Sequence, residues 1–244
     1  MVVTTTAIAF IALSLGLGFC GLWFFRVFQK SSKQKKPHTG FLISMCFFAS
    51  ALHNSILGFG FLLFAKNSAN LYTISIIAHI FLTFFALISL YTVYYIFLPG
   101  ASPRFAISLV IIISFIGLIY AFAGGQQPFL TQQQSIDWNM NLPFALSTFY
   151  LLLISLSVFF YIFMRLFRGT ESQGMKLLSS VIMGSAIVGI VNVFVRLILF
   201  YNAPTSLRTN VLDTGISIMG AIFVVGFIVV PIVKNFSKSE GNKL

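Results

Sequence analysis

An arginine inside an apolar stretch is the residue with the clearest chemical potential in this sequence. Arg196 lies in VNVFVRLILF, residues 191–200, where a charge is costly unless it is paired or binds something. Asn192, Gly189 and Ser185 precede it at intervals of four, three and four residues, which place all four on one helix face. This face is predicted to look toward protein and not toward lipid.

Arg196 is predicted to pair with Asp213 of the next apolar stretch. Each lies about four or five residues from the same end of its helix, a depth of about 6–8 Å. Consecutive antiparallel helices can bring the two side chains together. The pair could tie two helix ends, or it could bind a ligand, because an arginine only partly used by Asp213 can accept another carboxylate, such as a haem propionate.

His53 and His79 are a second chemical feature. They lie about 18 and 12 Å from the same surface, so they differ by about one helical turn in depth. Two imidazoles from different helices at similar depth can be the axial ligands of a b-type haem. Other interpretations stay open: core histidines bonded to Ser, Thr or Asn, or a proton relay or metal site, although no carboxylate lies at that depth.

Polar stripes on four segments are expected to converge on one pocket. Ser75 and Thr83 share a helix face with His79, and Ser217 follows Asp213 by one turn. No nucleophile, base and orienter occur together, so no catalytic residue is predicted and an enzyme is not expected. The predicted ligand-binding residues are Ser75, Thr83, Trp138, Asn192, Arg196, Asp213 and Ser217.

The elements that position these residues follow from the composition. Of 244 residues, 58% are hydrophobic and 8% are charged, and the mean hydropathy is +0.99. Such a chain is too apolar for a soluble domain, so its predicted solvent is a lipid bilayer. A span needs about 20 apolar residues. Seven runs qualify, which predicts one all-α, seven-helix membrane domain over residues 1–244, with spans at about 5–28, 40–65, 71–98, 105–122, 142–163, 177–201 and 209–233.

The net charge of +11 is explained by topology and does not indicate a nucleic-acid partner. Twelve of the 15 basic residues follow spans one, three, five or seven, on one side of the membrane. The positive-inside rule therefore predicts an outer N-terminus and a cytoplasmic C-terminus, in a prokaryotic plasma membrane. The basic segment KSSKQKKPH, residues 30–38, either sets this topology or also binds anionic headgroups.

The connector at 123–141, AGGQQPFLTQQQSIDWNMN, is the longest on the outer side. Its Gly, Gln and Pro content breaks helices. It is either a lid over an outer pocket or a plain loop with Trp138 anchored at the membrane interface.

Two sequence patterns carry a family resemblance. With seven predicted helices, FLPGASPR at 97–104 and SIDWNMNLPF at 135–144, the chain resembles the seven-helix membrane sensor regions of bacterial histidine kinases. This resemblance implies a sensor, and only about ten residues follow the last predicted span, so the output would pass through a partner. VLDTGIS at 211–217 looks like a segment of microbial rhodopsins, but no lysine precedes Lys234 there, so no retinal Schiff base is expected.

Three functions follow from these features. The first is a receptor-like or accessory membrane protein that binds a ligand in the outer half of the bundle and acts through a membrane or cytoplasmic partner. The second is a b-type cytochrome subunit with haem between His53 and His79. The third is a small-solute transporter or channel that uses the same polar stripes.

Overall fold

Seven long helices make up most of the described chain. The computed structural model describes residues 4–31, 38–98, 100–124, 127–171 and 173–241. These residues form α1 Thr5–Ser31, α2 His38–Phe64, α3 Ser68–Phe97, α4 Arg104–Ala123, α5 Leu142–Gly169, α6 Gln173–Phe194 and α7 Thr205–Gly241. A short antiparallel hairpin, β1 Phe129–Leu130 and β2 Ile136–Asp137, lies between α4 and α5. The predicted all-α architecture is confirmed.

Six of the described helices, α1 to α6, are long and apolar enough to cross a bilayer. Their spans run from 20 to 30 residues, as expected of a multi-pass integral membrane protein. The seventh predicted span, 209–233, lies within α7, of which some side chains fall outside the described set. Most of the basic segment 30–38, namely residues 32–37, also lies outside the described residues.

The helices form a closed ring. Helix α1 packs against α2 and α7, α6 packs against α5 and α7, and α3 packs against α2, α4 and α5. Helix α4 packs against α3 and α5, and it leaves many large apolar side chains exposed, among them Phe105, Ile112, Phe115 and Phe122. A surface of this kind is suited to hydrocarbon and not to water.

Aromatic side chains fill one half of the helical bundle. Phe47 of α2 stacks on Phe24 of α1 with a centroid distance of 5.5 Å, and it meets Phe159 of α5 edge to face at 4.9 Å. Phe85 of α3 joins Phe159 at 5.4 Å. We call the other end of the bundle, formed by Thr4–Thr6, residues 127–141 and the start of α7, the hairpin end. The less completely filled space lies between the aromatic cluster and this end.

Candidate ligand-binding cavity

The connector between α4 and α5 enters the bundle at the hairpin end. Ile136 and Asp137 are fully buried, and Ser135 is nearly so. The ring of Trp138 packs against Phe10 of α1 and Phe61 of α2, at centroid distances of 6.1 and 5.8 Å. The Trp138 ring therefore packs against α1 and α2.

Asp137 binds two arginines. Its Oδ1 accepts a hydrogen bond from Nη2 of Arg196 at 3.2 Å, and its Oδ2 accepts one from Nη2 of Arg208 at 2.6 Å. The side chains of Asp137, Arg196 and Arg208 are 0%, 5% and 16% exposed. A carboxylate with no exposed surface is stable only when charged partners surround it. This connector carboxylate therefore takes the place that the sequence assigned to Asp213.

The predicted Arg196–Asp213 pair is wrong. Asp213 instead accepts hydrogen bonds from three hydroxyls, Thr5 Oγ1 at 2.8 Å, Thr6 Oγ1 at 2.7 Å and Ser135 Oγ at 2.8 Å. Thr6 Oγ1 also accepts a hydrogen bond from the backbone N–H of Ile136 at 3.1 Å. Asp213 thus joins α1, α7 and the connector through hydrogen bonds.

Asp213 and Ser217 lie apart from the interior of the bundle. Both line an open groove at the surface, together with Thr5, Ser135 and Asn210. Of the predicted ligand-binding residues, these two therefore share one site, and it is different from the site that Arg196 lines.

A cavity lies beneath the connector, among α1, α2, α3, α5, α6 and α7. The centre of a water molecule can reach about 120 Å³ of it. Most lining side chains are apolar, and the polar ones lie mainly on two helices. Helix α2 supplies Ser50, His53 and Asn54; α6 supplies Ser185, Asn192 and the following Arg196. Trp138 and Met140 line the cavity on the connector side.

Four polar atoms along this cavity have no hydrogen-bond partner among the described residues. They are Trp138 Nε1, Ser185 Oγ, Asn192 Oδ1 and Arg196 Nε, and all four residues line the cavity. The three remaining atoms of this kind in the described ranges belong to residues outside the lining. An unpaired buried polar atom costs about 1–3 kcal/mol. Because all four belong to residues around one cavity, this cavity is the candidate ligand site.

Arg196 lies in a π-helical turn, Val195–Leu199, that continues α6. The N–H of Phe200 closes this turn by donating to the carbonyl oxygen of Val195 at 2.8 Å. Single π-helical turns within α-helices occur frequently at functional sites, because the extra residue changes which face of the helix carries the following side chains. The sequence did not predict this turn.

Asn192 lies one turn before Arg196, where α6 approaches α7 closely. A Cβ atom at Gly215 of α7 would overlap the Asn192 amide, so the glycine allows the amide to lie against the α7 backbone. Asn192 lines the internal cavity and also a groove between α6 and α7 on the outer face of the bundle. This side chain therefore forms part of the wall between the two spaces.

The two histidines bond to different neighbours. Nδ1 of His53 lies 2.8 Å from the carbonyl oxygen of Ala78, and its ring lines the cavity. Nδ1 of His79 lies 3.2 Å from Thr148 Oγ1 and its Nε2 lies 3.4 Å from Ser147 Oγ, both on α5. Hydrogen bonds thus hold both histidines in the core. They do not form a facing pair with free ring nitrogens, so the described residues do not fit the b-type haem.

Ser75 and Thr83 of α3 also lie away from the cavity lining. Ser75 donates to the carbonyl oxygen of Leu71 at 2.9 Å, and Thr83 donates to that of His79 at 2.9 Å. Thr83 Oγ1 additionally lies 2.6 Å from Ser114 Oγ of α4. Of the seven predicted ligand-binding residues, the structure therefore brings Trp138, Asn192 and Arg196 together at one cavity.

The fold and the cavity define a class, a helical multi-pass bundle with an internal cavity lined on one side by a connector. Comparison of the chain with protein-family models, curated proteins and solved structures finds no match. The functional argument therefore depends on the geometry of this chain.

Proposed function

We propose that this chain is a receptor-like membrane protein that binds a small molecule in the internal cavity and acts through a partner protein. One observation carries the proposal, the four unpartnered polar atoms on residues that line the same cavity. Mostly apolar cavities with a few convergent polar groups are the usual form of small-molecule sites. The resemblance to membrane sensor regions supports the same class of function.

The proposed topology has seven spans, with α7 as the last and the hairpin end outside a prokaryotic plasma membrane. The distribution of basic residues supports it, because twelve of the 15 follow odd-numbered spans. A single cysteine at Gln133 of the connector, in a chain without Cys20 and Cys46, tests it in intact cells. A membrane-impermeant maleimide should label this variant fully. Protection until the cells are opened would reverse the orientation.

The ligand-binding role is tested by filling the cavity. Ala186 of α6 lines it and is 3% exposed, whereas the next residue, Ile187, is 49% exposed. Ala186→Phe places a ring in the cavity, and Ile187→Phe places the same ring on the outer surface as a matched control. Native mass spectrometry of purified protein should detect a bound small molecule in the wild type and in Ile187→Phe. The amount should fall at least about tenfold in Ala186→Phe.

Two results would contradict this role. One is a wild-type protein that carries no small molecule and takes up none from a lipid extract. The other is equal occupancy in both phenylalanine variants, which would place the bound molecule outside the cavity. Circular dichroism of each variant checks that the helical bundle has formed before occupancies are compared.

A further inference from the structure

We propose that the ligand is a monocarboxylate with one long apolar chain, whose carboxylate lies between Trp138 and Arg196 and whose chain extends toward the aromatic cluster. This inference rests on the proposed function and names the ligand class of the same cavity. Three features of the cavity carry it: the chemical type of the unpartnered atoms, the charge at the hairpin end and the shape of the remaining space.

Two of the unpartnered atoms near the hairpin end are donors. A third, Oδ1 of Asn192 one turn before Arg196, belongs to an amide that can present its NH₂ group instead by rotating about its last bond. The indole Nε1 of Trp138 and the guanidinium Nε of Arg196 can only donate, so their partner must be an acceptor. Ser185 lies eleven residues before Arg196, about 16 Å along the helix. Its hydroxyl can donate or accept, so it does not fix the chemical type of the head group. The ligand therefore presents oxygen acceptors at one end.

The charge at this end favours an anion. Arg196 and Arg208 share the single carboxylate of Asp137, which leaves this group with one more positive than negative formal charge. The other acidic side chain of the hairpin end, Asp213, keeps its negative charge but lines a different groove, where three hydroxyls donate hydrogen bonds to it. Arg196 uses Nη2 for Asp137 and keeps Nε for another partner. A second carboxylate is the group that a partly used guanidinium binds best.

The rest of the cavity suits a hydrocarbon chain. From Arg196 to Ile182, the lining residues of α6 and its π-helical turn extend over about 21 Å; from Leu212 to Phe223, those of α7 extend over about 16 Å. The far end is lined by apolar side chains, including Phe159 and Phe223. Spread over this length, the approximately 120 Å³ that the centre of a water molecule can reach corresponds to a narrow space. One extended chain fits such a space better than a fused-ring molecule.

Three of the polar side chains halfway along the cavity do not contradict a hydrocarbon chain, because they have partners of their own. His53 bonds the Ala78 carbonyl, and Asn54 donates to the carbonyl oxygen of Ser50 at 2.8 Å. Thr148 lies within hydrogen-bond distance of His79. An apolar chain can lie beside these groups without removing a hydrogen bond.

The test measures binding of radiolabelled palmitate to the full chain in nanodiscs, with 1-hexadecanol and methyl palmitate as competitors and empty nanodiscs as background. Palmitate should bind at least about tenfold more tightly than 1-hexadecanol, because hydrogen bonds to charged groups are the stronger ones. Trp138→Phe keeps the ring between Phe10 and Phe61 but removes the N–H. It should weaken palmitate binding about 2–10-fold.

Arg196→Gln should remove most of the preference for palmitate over 1-hexadecanol, because it removes the guanidinium that binds the carboxylate. Arg165→Gln is the matched control, an exposed arginine of α5 that donates to the Tyr161 hydroxyl. It should leave both affinities unchanged. If Arg196→Gln does not fold, Trp138→Phe still tests the position of the head group.

The outcomes separate this inference from the proposed function. Equal binding of palmitate and 1-hexadecanol, or an unchanged palmitate affinity in Trp138→Phe, would overturn the carboxylate. A neutral or multi-ring molecule that co-purifies and is excluded by Ala186→Phe would do the same while leaving the cavity as a ligand site. A wild-type protein that binds no small molecule would overturn both this inference and the proposed function.

Discussion

Replacing Asp137 with asparagine should destabilise the protein by about 3–5 kcal/mol, the cost of leaving a buried charge without its partner. The substitution keeps the shape and one acceptor oxygen but removes the carboxylate that, among the described residues, binds both Arg196 and Arg208. Arg208, 16% exposed, can turn its guanidinium toward the surface, whereas Arg196 at 5% cannot do so without moving the π-helical turn. We therefore expect the free energy of unfolding to fall by about 3 kcal/mol.

The free energy of unfolding is measured by circular dichroism as the mole fraction of SDS rises in mixed micelles. Glu171→Gln is the control, because Glu171 is an exposed carboxylate and its replacement should change stability by less than about 0.5 kcal/mol. Arg208→Gln should cost less than Asp137→Asn, since it leaves one arginine for one aspartate.

The double variant Asp137→Asn with Arg208→Gln should be more stable than the sum of the two single changes, by about 0.5–3 kcal/mol. An Asp137→Asn protein within 1 kcal/mol of the Glu171→Gln control would refute the buried-charge reasoning. Strict additivity in the double variant would show that Asp137 and Arg208 do not interact.

Two further changes test the packing around the site. Gly215→Ala should destabilise the protein by about 1–3 kcal/mol in the same SDS assay, because its methyl group overlaps Asn192, whereas Gly184→Ala, whose Cβ has free space, should be neutral or slightly stabilising. Equal effects would mean that α6 and α7 can separate at no cost. Asp213→Asn should weaken the hydrogen bonds that hold the connector and raise hydrogen–deuterium exchange at residues 129–137. Unchanged exchange at these residues would show that Asp137 alone keeps the segment ordered.

The helices could be predicted from the sequence because their signal is local. A bilayer needs about 20 apolar residues, and each predicted run falls within a helix or overlaps most of one. The helical spacing of Ser185, Asn192 and Arg196 also placed these side chains on one inward face, where they line the cavity. This periodicity depends only on helix geometry, so it can be recognised without knowledge of the tertiary structure.

The partner of Arg196 could not be found in the same way, because Asp137 reaches it through a connector whose polar sequence is typical of a surface loop. A charge count offered one signal. Arg196 and Arg208 are predicted at the same end of the bundle, and Asp213 is the one aspartate that follows them, so two cations share one nearby carboxylate in the sequence. Ile136 and Trp138, large apolar residues on both sides of Asp137, indicated that this part of the connector could be buried.

The two histidines show what the depth of a residue along its helix cannot predict. His53 and His79 lie on adjacent helices, as their sequence positions require, but depth does not state the direction in which each ring points. His53 turns toward α3 and His79 turns toward α5. Rotation of each helix about its axis is set by packing with several neighbours, and no single stretch of sequence contains that information.

The bonding of one aspartate to two arginines has a consequence for how the chain is made. Residue 137 leaves the ribosome before residues 196 and 208, so the counter-ion is present at the membrane when the two guanidinium groups arrive. Helices α6 and α7 can therefore pack beside a negative charge that is already in place. Moving the aspartate to a position after α7 would preserve the composition but reverse this order, and the two guanidinium groups would lack this counter-ion until synthesis ended.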